Sequence, residues 1–359
     1  MKTATTATET EGFVSFRNYK TWYHVSGDLG GGAIPLLLLH GGPGGTSAYL
    51  EPLDDLAAGP EGRPVVRYDQ VGGGRSDRPT DPALWRFETF VEELTAVRDQ
   101  LGLDRVHLLG QSWGGMLALE YLLTKPEGVV SLTLSNSLAC TPLWCEEARR
   151  LRADLPAGIQ TAMRRFEDNL KPKPVRPKPG GKVKKGMTEK QIDRTAKIMR
   201  HVATLMTKPT VQTLAVRASA VPFLRKAAYQ VVGMEFAVRH ACRIQPFPMP
   251  ALRTFAAMNR KVYETMWGPS EFFATGNLKD WDVTVRLGEI DVPTLLVSGR
   301  YDEATPKQQE IMRDAIAGAE WVLLEEGSHS THLEEPERYR QALKDFLAKA
   351  DAASSANDG

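Results

Sequence analysis

The stretch Val106–Gly115, VHLLGQSWGG, constrains this chain more than any other. Its apolar first half suits a short buried strand, and the residues from Met116 to about Thr124 suit a helix. Between them lies Gly110-Gln111-Ser112-Trp113-Gly114. A serine on so sharp a strand-to-helix turn needs small residues on either side, and the two glycines supply them. Ser112 is then held above a sheet edge, poised to act as a nucleophile. The five-residue pattern alone is common by chance. A serine hydroxyl is also a weak nucleophile until a base and an orienting acid join it. The rest of the chain is therefore read for those partners.

Residues 1–11 are polar and expected to fray. Phe13–Phe16 and Thr21–Val25 read as two strands of an opening meander. Pro35–Leu39 is a continuous apolar run of strand length, as expected of a strand covered on both faces, and leads into His40-Gly-Gly-Pro-Gly-Gly45. Pro64–Asp69 is the next strand, and Phe87, Phe90, Val91, Leu94, Val97 and Leu101 then fall at helical spacing. After the Ser112 segment comes a further strand, Val129–Ser135. The alternation predicts an α/β fold with a mainly parallel central sheet and helices on both faces.

Between about Leu138 and Val285 the apolar strands vanish. Proline-punctuated helical stretches replace them: Glu146–Arg152, Ala157–Leu170, Glu189–Met206 and Phe223–Arg239. We read this as a helical cap inserted into the α/β core. The alternation resumes with a strand at Val292–Ser298, a helix at Pro306–Ala315, a strand at Glu320–Leu324 and a closing helix at Pro336–Leu347. The expected organisation is a core in two parts, 1–137 and 286–350, a cap over 138–285 and a disordered tail over 351–359.

A chain of 359 residues, 42% apolar and 25% charged, can bury a large core. Its net charge of +1 creates no field favouring nucleic acid or a membrane surface. No secretory apolar segment or membrane-length apolar run occurs, so neither export nor a transmembrane helix is expected. Cys140, Cys145 and Cys242 lack metal-ligand spacing and cannot all pair, which fits a reducing cytoplasm. The segment 171–185 holds seven basic residues, no acidic ones and no aromatics. It reads as a solvated, polyproline-like loop within the cap, without the stacking residues that nucleic acid would want.

The base should follow the last strand, and the acid the strand before it. Glu325-Glu-Gly-Ser-His329 and Ser298-Gly-Arg-Tyr-Asp302 occupy those places, so His329 and Asp302 are the expected partners of Ser112. His332 competes with His329, and Glu303 and Asp291 with Asp302. An oxyanion hole needs two backbone N–H groups. Trp113, which follows the nucleophile, should supply one and Gly42 the other. Glycines there let the backbone approach a substrate carbonyl. His40 reads as a packing residue and Gly72-Gly-Gly74 as a tight structural turn. No cluster of residues implies a metal, and no cofactor is expected.

Four segments then carry a family resemblance: HGGPGG at 40–45, DQVGGGRS at 69–76, GQSWGG at 110–115 and GRYDEATP at 299–306. Together they resemble the proline iminopeptidase family of α/β-hydrolases, within it the branch of the tricorn-interacting aminopeptidase and the L-amino acid amidases. WGPSEF at 267–272 and GNLKDWD at 276–282 extend the likeness into the late cap. The resemblance implies an α/β-hydrolase fold. It implies a serine hydrolase that releases an N-terminal residue, proline or another apolar one, from short peptides or amino-acid amides. It further implies that Glu271 and Glu303 hold the substrate's free α-ammonium. Sequence alone would make Glu271 a surface helix charge and Glu303 a plain neighbour of Asp302. The early cap, about 140–250, matches little, so a preference for proline does not carry over. A tailoring esterase, amidase or lactonase on the same scaffold is the alternative, and a non-catalytic binding protein a distant third. The oligomeric state and the preferred N-terminal residue stay open.

Overall fold

The chain enters its sheet through an antiparallel pair, β1 (Glu9–Phe16) and β2 (Tyr19–Ser26). This computed structural model describes residues 8–59, 62–170 and 182–357. β1 begins earlier than the sequence suggests, because Glu9–Glu11 pair with His24–Ser26 and are held by the ladder. The strands β3 (Leu36–Leu39) and β4 (Val65–Tyr68) follow, then a two-residue strand β5 (Arg78–Pro79). The helix α1 (Phe87–Gln100), the strand β6 (Val106–Gln111), the helix α2 (Trp113–Leu122) and the strand β7 (Val129–Ser135) come next.

Helices then take over: α3 (Thr141–Ala153), α4 (Ala157–Glu167), α5 (Glu189–Met206), α6 (Pro209–Ala218), α7 (Arg225–Phe236), α8 (Met249–Ala257) and α9 (Arg260–Met266). Among them is one short strand, β8 (Val183–Lys184), antiparallel to β5. The α/β pattern closes with β9 (Thr294–Gly299), α10 (Pro306–Ala315), β10 (Glu320–Leu324), α11 (Thr331–Glu334) and α12 (Pro336–Asn357). Residues 171–181, most of the Lys/Pro-rich segment, lie outside the described residues.

Eight strands form one sheet in the order β1-β2-β4-β3-β6-β7-β9-β10, parallel from β4 to β10. The apolar run of β3 explains its central place. Successive side chains of a strand point to opposite faces. Leu37 and Leu39 therefore pack with Phe90 and Leu94 of α1 and Met116 and Leu117 of α2, while Leu36 and Leu38 pack with Leu343 and Phe346 of α12. Helices cover both faces, as α/β-hydrolase architecture requires. The carboxyl ends of β3, β6, β7, β9 and β10 converge along one edge, where ligands of open parallel sheets bind.

Of the disordered tail expected over 351–359, residues 351–357 are corrected to helix, and 358–359 lie outside the described residues. α12 runs without a break to Asn357. The reason lies outside local sequence. Asp351 accepts a hydrogen bond from His107 at 3.0 Å and pairs with Arg63. The residue before it, Ala350, is buried. These contacts, made across the fold, carry the helix past the point where its apolar stripe ends.

Candidate active site

Ser112 sits between β6 and α2 with φ 56 and ψ −123, a left-handed conformation rare for a non-glycine residue. The surrounding turn tolerates no extra atoms. A Cβ on Gly114 would collide with the Leu39 carbonyl, and one on Gly110 with the Gly114 carbonyl. Both glycines are thus demanded by close backbone approach. Trp113 is the first residue of α2, and its backbone N–H lies in the turn whose amides have no intrahelical acceptor. The positive end of the helix dipole adds to its attraction for an anion.

The HGGPGG loop lies against this turn. His40 is buried, its Nδ1 donating to the Gly41 carbonyl at 2.8 Å and its Nε2 accepting from the Gln70 amide at 2.9 Å. Burial lowers its pKa, in keeping with this neutral, doubly engaged imidazole. Packing is its role. The Gly41 amide donates to the Tyr49 hydroxyl at 2.7 Å and is therefore spent. Gly42 supplies the next amide along. Its φ of 138 belongs to glycine, and a Cβ there would lie 2.6 Å from the Gly45 nitrogen.

Gly42, Ser112, Trp113, Met116, Leu138, Trp144, Trp267 and Glu271 line a single small pocket. The indoles crowd this pocket and leave little open space in it. The Trp144 ring stands edge-on to both Trp267 and His329, with centroids 5.6 and 5.7 Å away. Among the chain's other aromatics, Tyr49 serves a buried polar network with Gly41 and Gln111. Phe236 packs on Phe272, and Phe223 is 83% exposed.

His329 follows β10 and Asp302 follows β9. His329 Nδ1 donates to Asp302 Oδ1 at 2.7 Å. The His329 carbonyl accepts from Gln111 Nε2 at 3.0 Å, which ties the histidine loop to the residue before Ser112. Among the described residues no direct hydrogen bond joins Ser112 Oγ to His329, and such contacts often tighten only with substrate. The rival His332 faces away, donating from Nε2 to the Tyr49 carbonyl, and burial lowers its pKa to about 4. Asp291 is exposed and pairs with Lys125.

Glu303 places Oε1 3.9 Å from His329 Nε2, on the side away from Asp302. Burial, with Glu271 and Asp302 nearby, raises its pKa to about 8 against the pull of His329. Glu271 is likewise raised by burial, although Tyr263 donates to its Oε1. Burial alone would lower the His329 pKa, but Asp302 first, then Glu303 and Glu271, outweigh it and lift the group to about 9. Three carboxylates thus face one imidazole in a buried site, and among the described residues His329 is the one cation recorded as acting on Glu271 and Glu303. Such a surplus of acceptors suits a cationic ligand group. Among the described residues, no group of three or more His, Cys, Asp and Glu is arranged to hold a metal ion.

Sequence reasoning missed Tyr263, Gln111 and Asn136 as parts of this site. Gln111 lies inside the serine motif. Asn136 carries no local signal, since most of its partners are distant in the chain, and Tyr263 lies only eight residues before Glu271 but in no motif that marks the pair.

The fold and this edge define an α/β hydrolase. The alpha/beta hydrolase fold family matches residues 34–180. The proline iminopeptidase of Levilactobacillus brevis is 38% identical over 343 residues, 95% of this chain and 97% of that protein. That of Clostridium botulinum is 36% identical over 95% of this chain and 99% of its own length. Among solved structures, the proline iminopeptidase of Mycobacterium smegmatis (34% identical, TM-score 0.75) covers 96% of this chain and is itself covered entirely. The structure of VinJ (33%, TM-score 0.75) covers 95% of this chain and 99% of that one. The chain belongs to the proline iminopeptidase family and is an enzyme of the serine aminopeptidase type. No helix among the described residues is long and apolar enough to cross a membrane.

Proposed function

We propose that the enzyme releases the N-terminal amino acid, proline or another apolar residue, from short peptides or amino-acid amides through an acyl-enzyme. His329 Nε2 takes the Ser112 proton as Oγ attacks the first carbonyl. Asp302 holds the imidazole in the right tautomer and stabilises the imidazolium. The Trp113 and Gly42 amides receive the oxyanion. His329 then protonates the departing amine. Water, deprotonated by the same histidine, releases the amino acid. The reading rests above all on the pairing of Glu271 and Glu303 beside His329. A substrate ammonium between them would place the first carbonyl, and no later one, over Ser112. The indoles of Trp113, Trp144 and Trp267 with Met116 and Leu138 give the pocket an apolar wall beside Ser112, which suits an apolar side chain. Three unpaired cysteines support a reducing compartment, so we place the enzyme in the cytoplasm.

The test is turnover of aminoacyl-p-nitroanilides, free and N-acetylated. The free substrates should be cleaved, Ser112→Ala should abolish cleavage and fluorophosphonate labelling, and N-acetylation should cost at least about a hundredfold in kcat/KM. Full turnover by Ser112→Ala overturns the nucleophile. Indifference to the N-acetyl block overturns the ammonium site and favours a tailoring hydrolase.

A further inference from the structure

Asn136 is the first residue past β7, has no catalytic motif around it, and is wholly buried. It adopts φ 49, a left-handed conformation that asparagine tolerates better than most side chains. Every polar atom of its side chain is engaged. Nδ2 donates to Asp302 Oδ2 at 2.6 Å and to the Ser328 carbonyl at 2.9 Å. Oδ1 accepts from Thr331 Oγ1 at 2.6 Å and from Ser135 Oγ at 3.0 Å. Its backbone amide donates to the Val297 carbonyl of β9 at 2.8 Å.

These partners are not scattered. Ser328 and Thr331 bracket His329, and Asp302 Oδ2 is the carboxylate oxygen that His329 does not use. Asp302 Oδ1 accepts both from His329 and, at 2.8 Å, from the Ala304 amide. The Asn136 amide group is the other hydrogen-bond donor recorded on that carboxylate. The next residue extends the pattern. Ser137 Oγ donates to the Ser112 carbonyl at 2.9 Å, while the Ser137 carbonyl accepts from Gln309 at 2.7 Å. One dipeptide at the end of β7 thus touches the segments that carry Ser112, Asp302 and His329. A buried carboxylate gripped at one oxygen alone is free to rotate about its Cβ–Cγ bond. Grip at both oxygens fixes the plane in which the histidine must donate.

We propose that Asn136 is a positioning residue that locks the Asp302 carboxylate and the His329 loop into one register. This rests on the reading of Ser112, His329 and Asp302 as the catalytic set. Without the lock, Asp302 turns partly away from His329 Nδ1, and the imidazole loses part of the charge that holds its proton. The charged and titratable groups facing His329 are then Glu303, Glu271 and His332, none of which hydrogen-bonds Nδ1.

Two variants test this, read against wild type and Ser112→Ala. Asn136→Gly keeps the left-handed backbone and deletes every side-chain bond. Asn136→Asp keeps the shape but sets a carboxyl where the donor to Asp302 stood. Both should lower kcat about 10- to 100-fold with KM within about threefold, the usual scale for loss of an outer partner of a catalytic group. In Asn136→Gly the acid limb of fluorophosphonate labelling should also move down by about half a pH unit or more, which a merely loosened fold would not do. Should Asn136→Gly fail to fold, the kcat and KM of Asn136→Asp decide. A folded variant with kcat within twofold, or an Asn136→Gly enzyme with an unmoved limb, overturns the proposal. If Ser112→Ala still labels or turns over, the catalytic set has failed instead.

Discussion

Replacing Glu303 by glutamine separates the two duties proposed for one carboxylate, because the side chain keeps its size and loses only its charge. Oε1 lies 3.9 Å from His329 Nε2, and both side chains are largely buried. At an effective dielectric of about 20, unit charges at that distance attract by about 4 kcal/mol. Divided by 1.36 kcal/mol per pH unit, this sets a ceiling of about 3 units on what Glu303 contributes to the His329 pKa. Two effects reduce it. Glu303 itself titrates at about 8, so it carries only part of its charge through much of the range. Once it is neutral, Glu271 is less repelled and holds its own charge more firmly. We expect a net shift of about 1 to 2 units. The sign follows from the cause. His329 must be neutral to take the serine proton, and Glu303 favours its charged form, so the variant's acid limb moves to lower pH. The assay is the rate of Ser112 labelling by an uncharged fluorophosphonate against pH, since the probe has no amine and ignores the binding duty. That duty is read separately. Free aminoacyl-p-nitroanilides should lose about 10- to 100-fold in kcat/KM, the scale of one charged hydrogen bond. An acid limb that stays put or moves upward refutes the electrostatic reasoning, whatever happens to the amine substrates.

Two other perturbations report on the fold. Glu93 is buried, accepts from the Val71 amide at 2.8 Å and from Thr21, and burial lifts its pKa from 4.5 to about 8. The folded state therefore holds a proton that the unfolded chain releases above about 4.5, and this group's stabilisation is full below that pH and lost as pH rises towards 8. Glu93→Gln should flatten the decline, by about 1 kcal/mol per pH unit within that window, and parallel wild-type and variant plots of Tm against pH would sink the idea. Asp351→Ala removes the contacts to His107 and Arg63 that hold the end of α12. It should cost about 1 kcal/mol and release amide-exchange protection over 351–356, whereas unchanged protection would mean the helix end stands without them.

What the sequence made legible, and what it did not, follows the range of the interaction concerned. β3 could be read because four consecutive leucines have one physical explanation, burial on both faces. The serine turn could be read because its glycines answer a local steric demand. His329 and Asp302 could be placed because the connectivity of a parallel sheet fixes which loops meet at its edge, even 27 residues apart. The end of α12 could not be read. Its final stretch is held at Asp351 by Arg63 and His107, 288 and 244 residues away, and nothing around Asp351 hints at them. Asn136 escaped for the same reason: it is an ordinary polar residue until Asp302, 166 residues on, arrives. The helical insertion lies between these cases. Glu189–Met206 has a capping box at Thr188 and Gln191 and is found with its limits intact, whereas α6, α8 and α9 open on proline or a lone cap and offer short apolar stripes. That asymmetry bears on function. The core edge that places Ser112 and its partners is dictated by patterns any reader of the chain can find. The pocket walls Trp144, Trp267 and Glu271, to which we assign the choice of substrate in the proposed reading, sit on the insertion, where short elements and long-range contacts set the geometry. On the proposed reading, reaction type is therefore written locally in this chain, and substrate choice in its tertiary structure.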